Sequence, residues 1–395
     1  MDKWKSFTAG CILLYFFGGC IKTNGIFLNE LVMQFKTTHA MVAWAFALQH
    51  GVSYLFAPFT EVMISAFGKR RVGVSGGLLV GSAYVYLGIS AQSTWQLFCA
   101  YVSSGVGFGM IVISVYIYLQ EQFKEKFPFV NSIVSLFNFV GLSTLPPAIQ
   151  YLKACFGVRN ALVLMGTLLW NLVLCGLLFS KPELQRKSEE IVTIQDLTTS
   201  KQTETSPETE NTFGQKSEGT VQKVCNMLGV SPFLFHKTLS IFVILESLGF
   251  FVYISWAIFL VPFGTSIGLP PDEAVFLSTA GGLGGIVGKV FAVVLFHFNK
   301  MNSYTSCFVP FLVNGLSLLA SMFTKKFFQL AALMFVSGAA QGLHSSAMFG
   351  LLPSMVCHFH FHQTVVITYL VDGVAIQLGG LISGKYLKKI GSSYT

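Results

Sequence analysis

Thr198-Thr199-Ser200-Lys201-Gln202-Thr203-Glu204-Thr205-Ser206-Pro207-Glu208 divides this chain, because nothing on either side of it has the same character. The stretch belongs to a polar segment, 181–233, that is nearly free of aromatic residues. Such a segment cannot bury enough apolar surface to offset the entropy of ordering it, so it is expected to be a mobile linker. Working outward, the sequence becomes apolar at once. Six long hydrophobic runs precede the linker, at 7–31, 43–67, 72–91, 95–119, 129–152 and 160–180. Five follow it, at 238–263, 273–298, 305–323, 328–356 and 364–387. Roughly 20 apolar residues are needed to cross a bilayer as a helix. Backbone groups in hydrocarbon must bond within their own segment, so each run is read as one transmembrane helix.

Composition supports a membrane setting. Hydrophobic residues make up 53% of the chain and charged residues 11%, with a mean hydropathy of +0.65. A soluble domain carries about 25% charge, so the surface here faces lipid. The net charge of +8 does not indicate a nucleic-acid partner, since the basic residues sit in short clusters between apolar runs. The first run follows Met1-Asp2-Lys3-Trp4-Lys5. It is too long for a signal peptide and lacks a small-residue cleavage site, so it is read as a retained span. Lys69-Arg70-Arg71, then Lys124 and Lys126, then Lys181, Arg186 and Lys187 all fall on one side of the bundle. The positive-inside rule makes that side the cytoplasm and places the amino terminus there, although Lys325-Lys326 and Lys385, Lys388 and Lys389 run against it.

Several stretches carry more specific information. Lys22-Thr23-Asn24-Gly25-Ile26-Phe27-Leu28-Asn29-Glu30-Leu31 ends the first run. Phe67-Gly68-Lys69-Arg70-Arg71-Val72 joins the second to the third and leads into Gly76-Gly77-Leu78-Leu79. Gly105-Val106-Gly107-Phe108-Gly109 lies in the fourth. Phe156-Gly157-Val158-Arg159-Asn160-Ala161-Leu162 opens the sixth, and Phe259-Leu260-Val261-Pro262 and Gly288-Lys289 stand in the second half. In order and spacing these resemble the motifs of the monocarboxylate porter family of the major facilitator superfamily. The resemblance implies an all-α membrane protein with the major facilitator fold, in which two six-helix halves, 1–180 and 234–395, flank the cytoplasmic linker. It implies a plasma-membrane, multi-pass transporter of monocarboxylates or related small metabolites, secondary active or facilitative, with a proton as possible co-substrate. It also implies a single-span immunoglobulin-type glycoprotein as ancillary partner.

The departures from the pattern matter too. The D-G-G-W-G-W signature is reduced to Trp4, and the fifth-span entry to Gln122-Phe123-Lys124-Glu125-Lys126-Phe127-Pro128-Phe129. Proton-linked members carry an Asp four residues before an Arg in span eight; here those positions are Gly285 and Lys289. Gly391-Ser392-Ser393-Tyr394-Thr395 is similar to the segment before the family's twelfth span, so eleven spans are read and the twelfth is missing. A truncated or decayed member that acts as a membrane interaction protein is therefore the alternative function.

An ionisable residue inside a span is costly and marks a candidate site. Lys22, beside Gly18-Gly19, is read as a positive charge for a substrate carboxylate, against snorkelling to the interface. In the family, the matching lysine binds substrate and takes part in proton coupling. Lys289, in place of the substrate-clamping arginine, supplies a point charge where arginine supplies a fork. Glu246 and Asp372 are candidate proton or charge partners, with Glu246 expected to pair with Lys22 or Lys289 or simply to be satisfied by a neighbouring helix. Glu61, Gly68, Lys69 and Arg70 form a candidate gating motif at the second-to-third-span loop. Cys357-His358-Phe359-His360-Phe361-His362 is read as a solvated loop, with no metal site. There is no GxxxxGK[ST], HExxH or GxSxG signature, so no cofactor and no enzyme activity is expected.

Overall fold

The computed structural model describes residues 2–179, 237–297, 305–355 and 361–391. The linker at 181–233 and the side chains of His358, His360 and His362 lie outside what it describes. Each hydrophobic run becomes a helix or a pair of helices. The first half comprises α1 (Asp2–Ile26), α2 (Leu28–Phe35), α3 (His39–Leu55), α4 (Ala57–Phe67), α5 (Lys69–Ile89), α6 (Thr94–Phe123), α7 (Phe127–Val134), α8 (Leu136–Leu169) and α9 (Asn171–Leu177). The second half comprises α10 (Lys237–Ser266), α11 (Pro271–His297), α12 (Thr305–Ser321), α13 (Phe327–Met355) and α14 (Phe361–Gly391).

Several breaks modify or separate the expected spans, and three of them have an identifiable local cause. The first run does not continue unbroken to Leu31, because α1 ends at Ile26 and Phe27 N–H turns back to the Asn24 carbonyl before α2 begins. The second run bends by 51° between α3 and α4. Pro58 stands in the first turn of α4, where its missing N–H costs nothing within α4 but cannot extend α3. The continuous stretch Phe129–Leu177, at 49 residues, is about 74 Å long at helical rise and must cross twice. It turns at Gly157, whose φ of 80° and ψ of 170° suit glycine alone. Gly68, with a φ of 82°, likewise joins α4 to α5 in a single residue.

Helix pairing reveals an internal repeat. In the first half α1 packs on α8, α3 on α6 and α5 on α6. In the second half α10 packs on α14, α11 on α13 and α12 on α13. The two sets coincide when α1, α3, α5, α6 and the first part of α8 are matched with α10, α11, α12, α13 and α14. Between halves, α3 meets α14 and α8 meets α11, contacts that the same matching exchanges, while α1 meets α10. A pseudo-two-fold axis therefore runs between the halves, as in transporters built from repeated bundles.

Helices in a bilayer gain little from hiding apolar surface, so they associate through close backbone approach at small residues. At Gly25 a Cβ would stand 2.8 Å from the Ile258 carbonyl oxygen of α10, and at Gly282 it would stand 2.9 Å from the Ser143 nitrogen of α8. Both contacts join the two halves. Within the second half, Gly284 presses directly on the Phe335 carbonyl of α13. Gly284→Ala is expected to force α11 from α13 and cost about 1–3 kcal/mol. A detergent-solubilised variant that melts at the wild-type temperature in a thermal unfolding scan would contradict this.

Candidate functional site

The site rests on polar side chains that the lipid-facing bundle must satisfy internally. Asn24 of α1, Gln49 of α3, Tyr84 of α5 and Ser104 of α6 are all at most 1% exposed. Asn24 Nδ2 donates to Gln49 Oε1 at 2.7 Å. Gln49 Nε2 donates to Ser104 Oγ at 2.7 Å and to Tyr84 Oη at 2.9 Å. The Tyr84 hydroxyl donates to Asn24 Oδ1 at 3.0 Å, which closes the ring. Four spans of the first half are thereby fixed at one depth.

Two residues before Asn24, α1 turns Lys22 toward the second half. Lys22 is 0% exposed, so it does not snorkel. Its ammonium sits 3.5 Å from the centroid of the Trp256 ring and donates to the Ser278 carbonyl at 3.4 Å. Gly281 leaves room for it, since a Cβ there would stand 3.3 Å from Nζ. Among the described residues Lys22 has no carboxylate partner; a cation–π contact and one carbonyl hold the charge.

Below Lys22, on the side of the amino terminus, a cavity of about 90 Å³ opens between the halves. Leu14, Phe17, Ile21, His50 and Tyr54 line it from the first half, and Phe250, Tyr253, Lys289 and Tyr369 from the second. Lys289 is 2% exposed and makes no ion pair among the described residues, although the Glu246 carboxylate acts on it electrostatically. The two lysines do not converge. Lys289 lies eight residues beyond Gly281 on α11, about 12 Å along the axis. Of the two residues that sequence marks for substrate, only Lys289 lines the cavity. Gly285, between them, faces the Phe139 ring, which occupies the space that any side chain at 285 would need.

Glu246 lies within 3.5 Å of His344 Nε2 on α13 rather than in an ion pair with either lysine. Asp372, 1% exposed, accepts a hydrogen bond from Ser247 Oγ at 3.0 Å and also feels the Glu246 charge. Spans seven, ten and eleven thus bring three titratable groups together beside Lys289. At the loop after the second span, Lys69 is 7% exposed and pairs with Glu121 at the end of α6, while Arg70 is exposed and Glu61 half-buried. The motif therefore ties α5 to α6 near the amino-terminal face and stands apart from the cavity. Among the described residues no group of three or more His, Cys, Asp or Glu side chains is arranged to hold a metal.

Sequence reading missed His50, Tyr253, Trp256 and His344. His50 and His344 were open to the criterion that selected Lys22, an ionisable residue inside an apolar run. Tyr253 and Trp256 look like ordinary core aromatics until the fold turns them to the interface. Tyr84→Phe is expected to lower stability by about 1–2 kcal/mol, because it leaves Asn24 Oδ1 without a donor. Thermal unfolding of the purified variant in detergent checks this, and an unchanged melting temperature would count against the ring.

Comparison with known proteins places this geometry among transporters. A family model described as Major Facilitator Superfamily matches residues 9–384. Monocarboxylate transporter 3 of Rattus norvegicus is 24% identical over 387 residues, covering 97% of this chain and 73% of the relative. Monocarboxylate transporter 2 of Homo sapiens is 24% identical over 379 residues, covering 94% and 76%. Among solved structures, a bacterial homologue of the human lysosomal transporter Spinster superposes with a TM-score of 0.65 at 15% identity, covering 97% of this chain and 82% of that one. The peptide transporter POT superposes with a TM-score of 0.67 at 11% identity, covering 99% and 91%. The family and the fold are those of transporters, not enzymes.

Proposed function

We propose, given that the chain belongs to the Major Facilitator Superfamily, that it moves a small monocarboxylate across the membrane by alternating access at the cavity between its halves. The observation that carries the proposal is Lys289, a buried cation that faces the cavity without an ion-pair partner among the described residues. A charge in that setting is costly unless an anion completes it. A carboxylate supplies one charge and two acceptor oxygens, and the relatives' names point to the same class. Lys22 is held in reserve by Trp256 in this conformation and serves the anion when the halves rock apart.

The positions of the basic clusters support a cytoplasmic amino terminus, and a plasma-membrane address follows from family resemblance alone. An ancillary single-span immunoglobulin-type glycoprotein belongs to the same proposal by family resemblance alone. Proton linkage belongs to it as well. Gly285 offers no carboxylate in span eight, so Glu246 and Asp372, with His344 beside them, are the candidate proton carriers. Exchange of substrate for substrate needs no net proton movement, whereas gradient-driven accumulation does.

In liposomes containing the purified chain, Lys289→Gln is expected to reduce uptake of a labelled monocarboxylate at least about tenfold, the loss of one charge-assisted contact. Uptake at the wild-type rate in that variant would sink the proposal. An inward proton gradient is expected to accelerate wild-type uptake, and Asp372→Asn to abolish the acceleration while substrate exchange persists. Insensitivity of the wild type to the gradient would remove proton linkage and leave facilitated transport.

A further inference from the structure

Four aromatic rings meet where the central cavity ends on the amino-terminal side. α3 and α6 finish toward that face of the bundle, and α10 and α14 begin there, as α1 does. Tyr54 is the last cavity-lining residue of α3 and Tyr116 the last of α6, while Phe250 is the first of α10 and Tyr369 the first of α14. Each of these helices thus sets an aromatic side chain at the same end of the cavity, two from the first half and two from the second.

The rings touch across the seam. Tyr54 stands edge-on to Tyr369, with centroids 5.0 Å apart, and to Phe250, with centroids 5.4 Å apart. The Tyr116 ring lies 6.5 Å from that of Tyr369, and the two side chains are hydrogen-bonded to each other. Tyr369 is buried and packs in one cluster with Ala57 and Ile113 of the first half. Edge-on ring pairs and hydroxyl bonds are short-range, so this set of contacts holds only while the halves are together at this end.

The first half has a place to flex beside the rings. Span two bends by 51° between α3 and α4, and Tyr54 is the penultimate residue of α3. Pro58 has no N–H to give to the carbonyl four residues back, which is that of Tyr54, so the regular helical bond is missing there. Above the bend, Gln49 is pinned in the hydrogen-bonded ring with Asn24 and Ser104. Below it, Ala57 opens α4 and sits against Tyr369. A few residues at the ends of elements, between a pinned part and a free part, are what a hinge consists of.

We infer that Tyr54, Tyr116, Phe250 and Tyr369 form a gate on the amino-terminal side of the cavity, latched by the bond between Tyr116 and Tyr369 and swung by the bend between α3 and α4. With the latch made, the rings hold the halves together at this end. When it parts, α4 and the start of α14 separate and the cavity opens toward the amino-terminal face. The gate rests on alternating access between the halves and is independent of which solute the cavity takes.

Hydrogen–deuterium exchange of the full chain in lipid nanodiscs tests the gate without any transported ligand. Both hydroxyls serve one bond, so Tyr116→Phe, Tyr369→Phe and the double variant are expected to behave alike. In each, backbone exchange over 54–64 and 364–372 is expected to be about fivefold faster, the net effect of one hydrogen bond, with exchange over α5 unchanged. Tyr15→Phe removes a hydroxyl that accepts from Thr144 at 3.1 Å, away from the cavity, and as a control is expected to exchange at the wild-type rate in both segments. Wild-type exchange in both single variants, additive effects in the double variant, or a rise spread evenly over the bundle overturns the gate. Uptake of a monocarboxylate unaffected by Lys289→Gln sinks the substrate reading alone and leaves the gate standing.

Discussion

The ring of hydrogen bonds among Asn24, Gln49, Tyr84 and Ser104 is the interaction on which the rest of the bundle depends. Each member would be costly alone in a water-free interior, and together they satisfy one another across four spans. The ring fixes the far end of α1 against α3, α5 and α6, and so fixes the face that α1 turns to the second half. Lys22, two residues before Asn24, points to that face because Asn24 points away from it. The first half thus behaves as one polar-stitched unit that presents a charge to its partner.

The second half is joined to the first by different means. Glycines at 25 and 282 bring backbones of the two halves together, and side-chain hydrogen bonds across the seam are sparse. Thr279 donates to the Ser143 carbonyl at 3.2 Å and Gln377 to the Ala47 carbonyl at 3.2 Å. Such contacts can part and re-form without leaving a strong polar network broken, whereas the ring within the first half cannot. Firm halves with a loosely bonded seam are what rocking about a central site requires. Polar groups without a hydrogen-bond partner stand at that seam too: His50 and Tyr253 line the cavity beside Lys289, and Lys22 is held above it by an aromatic face.

Much of the fold was legible in the chain. Helix placement follows from apolar runs, because a helix is the only open-ended structure that hydrocarbon permits. Yet among the described residues only six helices, or seven with the bent pair α3–α4, are long and apolar enough to cross a membrane. Gly157 and Gly68 mark turns that only glycine makes readily. Lys22, Lys289, Glu246 and Asp372 were identifiable because an ionisable residue is conspicuous in an apolar segment. Their partners were not legible. Glu246 meets His344, 98 positions away, and Lys22 meets Trp256 and Ser278 on two other helices. Helical periodicity fixes which face a residue occupies on its own helix but carries no information about which helix faces it.

The sequence by itself determined that this is a helical membrane bundle, since composition and span length are set by the solvent; the transporter type was legible only through the resemblance of its motifs to a known family. Only the tertiary structure decided that Lys22 is sealed while Lys289 opens to a cavity. It alone showed that Phe139 fills the space beside Gly285, and that His50 and Tyr253 stand unpartnered between the halves. Those facts depend on packing between segments remote along the chain, where a turn of helix of about 5 Å separates a charge that meets an aromatic ring from one that waits for a ligand.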